Sequence, residues 1–190
     1  MTEIQLRDAE VADMAAIAAI YAHHVQTGYG SFEEIPPSVE EMVRRRDNIR
    51  ARGLPWRLTE IDGRIVGYCY VSPYHARSAY RFAVQDSIYV DERFVNRGVG
   101  SALLGDVIRI CTELGYRQMM AGVGDSGNEG SLRLHTRLGF RTIGQAVGVG
   151  IKFGRWLDLV LLQRPLGEER TDMPAAPPVG YLPPADQMGP

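Results

Sequence analysis

The stretch Ile88-Tyr89-Val90-Asp91-Glu92-Arg93-Phe94-Val95-Asn96-Arg97-Gly98-Val99-Gly100-Ser101 decides how this chain folds. It leaves an alternating run, passes a polar turn, and enters a segment with helical spacing. Apolar residues then recur at Leu103, Leu104, Val107, Ile108, Cys111 and Leu114, and Gly115 closes the run. The pattern predicts strand, tight turn and helix. Small residues at Gly98, Gly100 and Ser101 let the backbone come close to a ligand. The unclaimed N–H groups and positive end of the following helix suit a pyrophosphate. The dinucleotide fingerprint G-x-G-x-x-G is not met, because Leu103 stands at its last position.

Outward from this stretch, the pattern alternates between periods. Glu3–Arg7 reads as a strand. Asp8 is the expected cap of a helix whose apolar face is Val11, Met14, Ile17, Ala18, Tyr21 and Val25. After a loop containing Phe32 and Glu33, Ser38-Val39-Glu40-Glu41 is a capping box opening a second helix that stops near Gly53. Trp56–Ile61 and Arg64–Ser72 form a hairpin turned at Asp62-Gly63. Phe82–Val90 is a strand, followed by the Gly98–Leu114 helix. Gln118–Val123 is a strand, Ser131–Leu138 a helix, and Phe140–Val147 and Phe153–Leu162 the last two strands. The order β-α-α-β-β-β-α-β-α-β-β predicts an α/β (α+β) fold with a mixed sheet flanked by helices.

With 190 residues the chain fits one domain with a short appendage. The expected body is residues 1–166. The tail, 167–190, carries six prolines and cannot be a helix or central strand; Tyr181 and Leu182 are its candidate anchors. A net charge of −2 gives no general attraction to nucleic acid or anionic membrane. No apolar run approaches the ~18 residues of a membrane span. MTEIQLRDAE lacks the apolar core of a signal peptide. Cys69 and Cys111 have no metal-ligand spacing, and no metal site is expected; they read as core residues in a reducing cytoplasm.

Further motifs make the reading specific. Val95-Asn96-Arg97-Gly98-Val99-Gly100 resembles the (Gln/Arg)-x-x-Gly-x-(Gly/Ala) turn of GNAT acetyltransferases, with Val95 departing from its first position. Asn128-Glu129-Gly130-Ser131-Leu132-Arg133-Leu134-His135 resembles their second coenzyme A segment. Gly150-Ile151-Lys152-Phe153-Gly154-Arg155-Trp156-Leu157-Asp158 is similar to a signature of the phosphinothricin acetyltransferase branch. The resemblance spans about residues 3 to 166. It implies a GNAT fold, a mostly antiparallel sheet splayed at the acetyl-CoA site. It also implies acetyl transfer from acetyl-CoA to the α-amino group of a phosphinothricin- or methionine sulfoximine-like amino acid, and a homodimer.

Site residues follow from that resemblance. Backbone near Ile88, Tyr89 and Val90 would hold the pantetheine and thioester oxygen. Asn96, Arg97, Gly98, Val99, Gly100 and Ser101 would cradle the diphosphate, with Asn128 and Ser131 on the coenzyme arm. The family's catalytic Glu falls on Gln85, and an amide cannot take a proton. Three routes stay open: Asp86 acts as base, a water chain does, or no dedicated base is needed, since an α-amino group has a pKa of ~8. Asp86 faces away from Gln85 unless the strand is bulged. His135 stands where many relatives protonate the leaving thiolate with a Tyr. Arg77 and Arg81, helped by His75, are candidate anchors for an anionic acceptor, and Phe32 and Glu33 candidate pocket walls. Lys152 and Trp156 are candidates for a dimer interface or pocket, with Trp156 read first as core. Other acceptors (a peptide N-terminus, a polyamine, an aminoglycoside) compete with this reading, as does a non-catalytic acyl-CoA-binding module. The basic acceptor loop argues against polyamines.

Overall fold

The computed structural model describes residues 4–167 and 173–181. Its seven strands are β1 (Gln5–Asp8), β2 (Trp56–Ile61), β3 (Arg64–Pro73), β4 (Ala83–Val90), β5 (Gln118–Gly124), β6 (Arg141–Lys152) and β7 (Arg155–Pro165). Four helices accompany them: α1 (Met14–Thr27), α2 (Val39–Arg50), α3 (Val99–Glu113) and α4 (Glu129–Arg137). The strands form one sheet in the order β1-β2-β3-β4-β5-β7-β6. All neighbours are antiparallel except β4 and β5.

Helices cover both faces. Trp56, Tyr68, Tyr70 and Tyr89 stack in a row under Tyr21 of α1. The opposite face, where Gly67 and Cys69 lie, meets Leu103 and Val99 of α3. Burial of these two apolar layers is the main source of stability.

Local chemistry sets the boundaries. Ser38 accepts the Glu41 amide hydrogen at 3.2 Å, as its capping box requires. Asp62 and Gly63 both take positive φ (51° and 70°), the hairpin conformation predicted for that pair. Two expectations need correction. Asp8 does not cap α1; it ends β1 and pairs with Arg50 and Arg57. A short turn capped reciprocally by Glu10 and Asp13 leads into the helix instead, and Val11 stays exposed. The last hairpin turns at Phe153-Gly154, again both at positive φ (49° and 73°), so β6 runs to Lys152 and Phe153 is a turn residue. Alternation through a glycine-rich run hid that extension.

The described tail segment lies on the body. Val179 N–H donates to the Leu114 carbonyl at 2.8 Å, and Gly180 rests against Arg52-Gly53. Tyr181 has its hydroxyl buried; Leu182 lies outside the described residues. No helix among the described residues is long and apolar enough to cross a membrane.

Candidate active site

The sheet parts along its middle. β4 pairs with β5 only at Ala83, Val84 and Gln85, whereas its pairing with β3 continues to Val90. Asp91 N–H donates to Val66 on β3 at 2.8 Å, so strict alternation turns the amides of Ile88 and Val90 toward the gap. A cavity of about 1000 Å³ fills this opening and reaches α4 and the loop before α2.

One wall is made by the turn after β4. Asp91 accepts the Arg93 amide hydrogen at 3.1 Å and binds its guanidinium, starting the turn. Asn96 (φ 60°) and Gly98 (φ 84°) are left-handed, which reverses the chain into α3 without a side chain in the way. No side chain caps α3. Gly98, Gly100 and Ser101 therefore line the cavity with Val95 and Asn96, at the positive end of a 15-residue helix. Of the expected cradle residues, two stand apart. Arg97 lies over the Phe94 ring at 5.1 Å, and the Val99 side chain is core.

At the fork, Gln85 and Asp86 face opposite sides of the sheet, because the β3–β4 register runs without a bulge. Both line the cavity, since the gap between the strands joins the two faces. Asp86 is buried against His135 of α4, with Oδ2 3.1 Å from Nε2. Nδ1 of that ring is 2.8 Å from the Ser131 carbonyl. Each ring nitrogen thus meets an acceptor, which favours a proton on both. Burial is the largest influence and pushes the His135 pKa down. The Asp86 hydrogen bond and charge, with the Ser131 carbonyl, overcome it and raise the value above the ordinary 6.5. The other Asp86 oxygen, Oδ1, is buried with no partner among the described residues. Asn128 caps α4 by accepting the Ser131 amide hydrogen at 3.2 Å, and both residues line the cavity.

The opposite wall is the loop from Gly28 to Pro37. Phe32 and Glu33 line the cavity, and Glu33 is tied to Arg45 at 2.7 Å. His75, Arg77 and Arg81 do not line it. His75 accepts the Arg77 amide hydrogen, and Arg81 lies over Phe82 and bonds the Ser78 carbonyl. Sequence reading missed Tyr21 and His24, both lining the cavity from α1. His24 donates from Nε2 to the Val90 carbonyl at 2.8 Å, and burial lowers its pKa. Their i, i+3 spacing was the available signal. Arg133 and Arg137, one turn apart on α4, also line the cavity. Trp156 is 66% exposed, so its reading as a core residue is overturned; Lys152 is the buried member of that pair.

A parted sheet with an uncapped helix start beside it defines a class. The sequence pattern of the acetyltransferase (GNAT) family matches residues 17–140, and the chain belongs to that family. Within it the chain lies in the phosphinothricin and methionine sulfoximine acetyltransferase branch of N-acetyltransferases. It is 49% identical over 162 residues to a phosphinothricin N-acetyltransferase of Alcaligenes faecalis, covering 85% of this chain and 82% of that one. It is 33% identical to an L-methionine sulfoximine/L-methionine sulfone acetyltransferase of Salmonella typhimurium, over 86% and 95% of the two chains. A crystal structure of a phosphinothricin acetyltransferase from Sinorhizobium meliloti in complex with AcCoA superposes with a TM-score of 0.88 at 40% identity, covering 97% and 98%.

Proposed function

We propose that this enzyme transfers the acetyl group of acetyl-CoA directly to the α-amino group of a small amino acid of the phosphinothricin or methionine sulfoximine type. The observation that carries the reading is the opening of β4 from β5 beside the uncapped start of α3. The acceptor class rests on the names of the relatives.

In this reading the amides of Gly98, Gly100 and Ser101 hold the diphosphate. The turned-out amides of Ile88 and Val90 follow the pantetheine, and one of them donates to the thioester oxygen as it becomes an oxyanion. The amine nitrogen attacks the carbonyl carbon, the C–S bond breaks, and the thiolate takes a proton. Gln85 accepts a hydrogen bond from the amine and orients it. The proton chemistry falls to the Asp86–His135 pair. Asp86 Oδ1 is the pair's unpartnered acceptor and takes the amine proton, while His135 gives one to the thiolate. A pKa of ~8 leaves enough of the amine neutral to begin. Phe32 and Glu33 wall the acceptor. Arg77, Arg81 and His75 would reach it only by a shift of the loop after β3.

The chemistry belongs to the acetyltransferase domain, residues 1–166, and the Pro-rich tail, 167–190, is accessory to it; the described part of that tail rests on the body through Val179 and Gly180. An exposed apolar strip on the edge strand (Ile143, Val147, Val149 and Ile151) together with Trp156 supports a homodimer. Sedimentation should give twice the 21.1 kDa chain mass; a monomer would remove that part of the reading. Two buried unpaired cysteines support a cytoplasmic setting.

The test is thiol release from acetyl-CoA across a panel of amino acids and other amines. Turnover should be highest with phosphinothricin, methionine sulfoximine or methionine sulfone. Tight acetyl-CoA binding with no turnover would mark an acyl-CoA-binding module, to which Gln85 would then point.

A further inference from the structure

Lys152 is 1% exposed, and its ammonium donates to the carbonyl of Ser31, 121 residues away, at 2.8 Å. No carboxylate bonds it among the described residues. The ring of Phe153 lies 5.1 Å from it. Burying an ammonium on one carbonyl is costly, and a methionine would fill the same space. The lysine therefore needs a reason beyond packing.

Its partner supplies one. Ser31 belongs to the irregular loop that walls the cavity opposite α3. Its hydroxyl meets Tyr21 at 2.9 Å and accepts the Glu33 amide hydrogen at 3.2 Å. The next residue, Phe32, presses its ring onto two backbones. A Cβ added at Gly124 or at Gly150 would lie 2.8 Å from a ring carbon. Gly150 stands two residues before Lys152 on the same face of β6. The tip of β6 thus grips the loop twice, once by charge and once by leaving room for a ring.

We infer that Lys152 and Gly150 are positioning residues that seat the Ser31–Glu33 wall, and so set affinity and selectivity for the acceptor amine but not for acetyl-CoA. This deepens the acetyltransferase reading and depends on it. The residues touch neither reacting group; they act through Ser31 and Phe32. A wall displaced by a fraction of an ångström changes which acceptor heads fit.

The experiment compares wild type, Lys152→Met and Gly150→Ala in steady-state kinetics with both substrates varied, beside melting curves. Each variant should raise the acceptor KM about tenfold, with kcat and the acetyl-CoA KM within about twofold of wild type. Across an acceptor panel the preference order should flatten. Unchanged acceptor KM values, or acceptor and acetyl-CoA values rising together, would overturn the inference and leave Lys152 a structural residue. If Lys152→Met does not fold, Gly150→Ala decides, because it moves Phe32 with the lysine in place. Absence of turnover by wild type would instead remove the acetyltransferase reading itself.

Discussion

The two walls of the cavity are built from different materials. The wall at β4 and α3 is backbone: amides freed by a parted strand, and a helix start with no side chain upon it. The wall at Ser31–Glu33 is side chain, held by Lys152, Tyr21, Arg45 and two glycines, which together lie on four other elements. A backbone wall recognises what all acetyl-CoA donors share. A side-chain wall can be retuned one residue at a time, and so carries choice of acceptor. Between them, Asp86 and His135 span the sheet and α4.

The largest effect should come from that bridge. Asp86→Ala leaves His135 buried without its carboxylate. Breaking such a pair should cost about 3 kcal/mol of stability. It should also lower kcat about 100-fold through loss of the proton acceptor. Urea melts and single-turnover rates measure the two separately. A stable variant with full kcat would return the proton chemistry to water or to no base at all.

Gly100→Val attacks the backbone wall alone. A Cβ there would already lie 3.1 Å from a Leu134 methyl, and a branched side chain would fill the cradle. The acetyl-CoA KM should rise about tenfold with little change in the acceptor KM. Equal movement of both would mean the walls are not separable.

The bridge should also show in pH dependence. His135 has its pKa raised in the fold. Its contribution is therefore complete below the ordinary 6.5 and is lost as pH rises through the raised folded value. The stability gap between wild type and His135→Gln should be widest below the ordinary 6.5 and narrow as pH rises through the raised folded value. A gap that widens with pH would mean the ring is neutral in the fold.

The same contrast explains what could be read before any coordinates. The backbone wall was legible because turns need particular residues: Gly98 for its positive φ, small residues where a ligand approaches, and an apolar period that starts at once afterwards. The parting of β4 from β5 was legible only through resemblance, since strand partners are not written in local pattern. The Asp86–His135 contact was hidden because 49 residues separate the two, and only the unbroken β3 register fixes the side Asp86 takes. The side-chain wall was least legible. Phe32 and Glu33 were marked, but Tyr21 passed as part of an ordinary helix face and His24 was not singled out. Trp156 passed as core, because an exposed tryptophan on an edge hairpin has the same local pattern as a buried one. Asp8 misled because a good cap residue can equally serve an ion pair.

The smallest expected change sharpens the contrast furthest. Val95 stands where relatives place Gln or Arg; it is 50% exposed and lines the cavity beside Asn96. If backbone amides supply most of the diphosphate grip, a side-chain donor there adds one solvent-exposed hydrogen bond. Exposed to competing water, such a bond falls at the low end of the net range, about 0.5 kcal/mol. Val95→Gln should therefore tighten acetyl-CoA about twofold, without changing acceptor KM or kcat. Calorimetric titration with acetyl-CoA resolves a change of that size. A tenfold gain would show that the amides hold the diphosphate loosely and that this wall, too, depends on side chains.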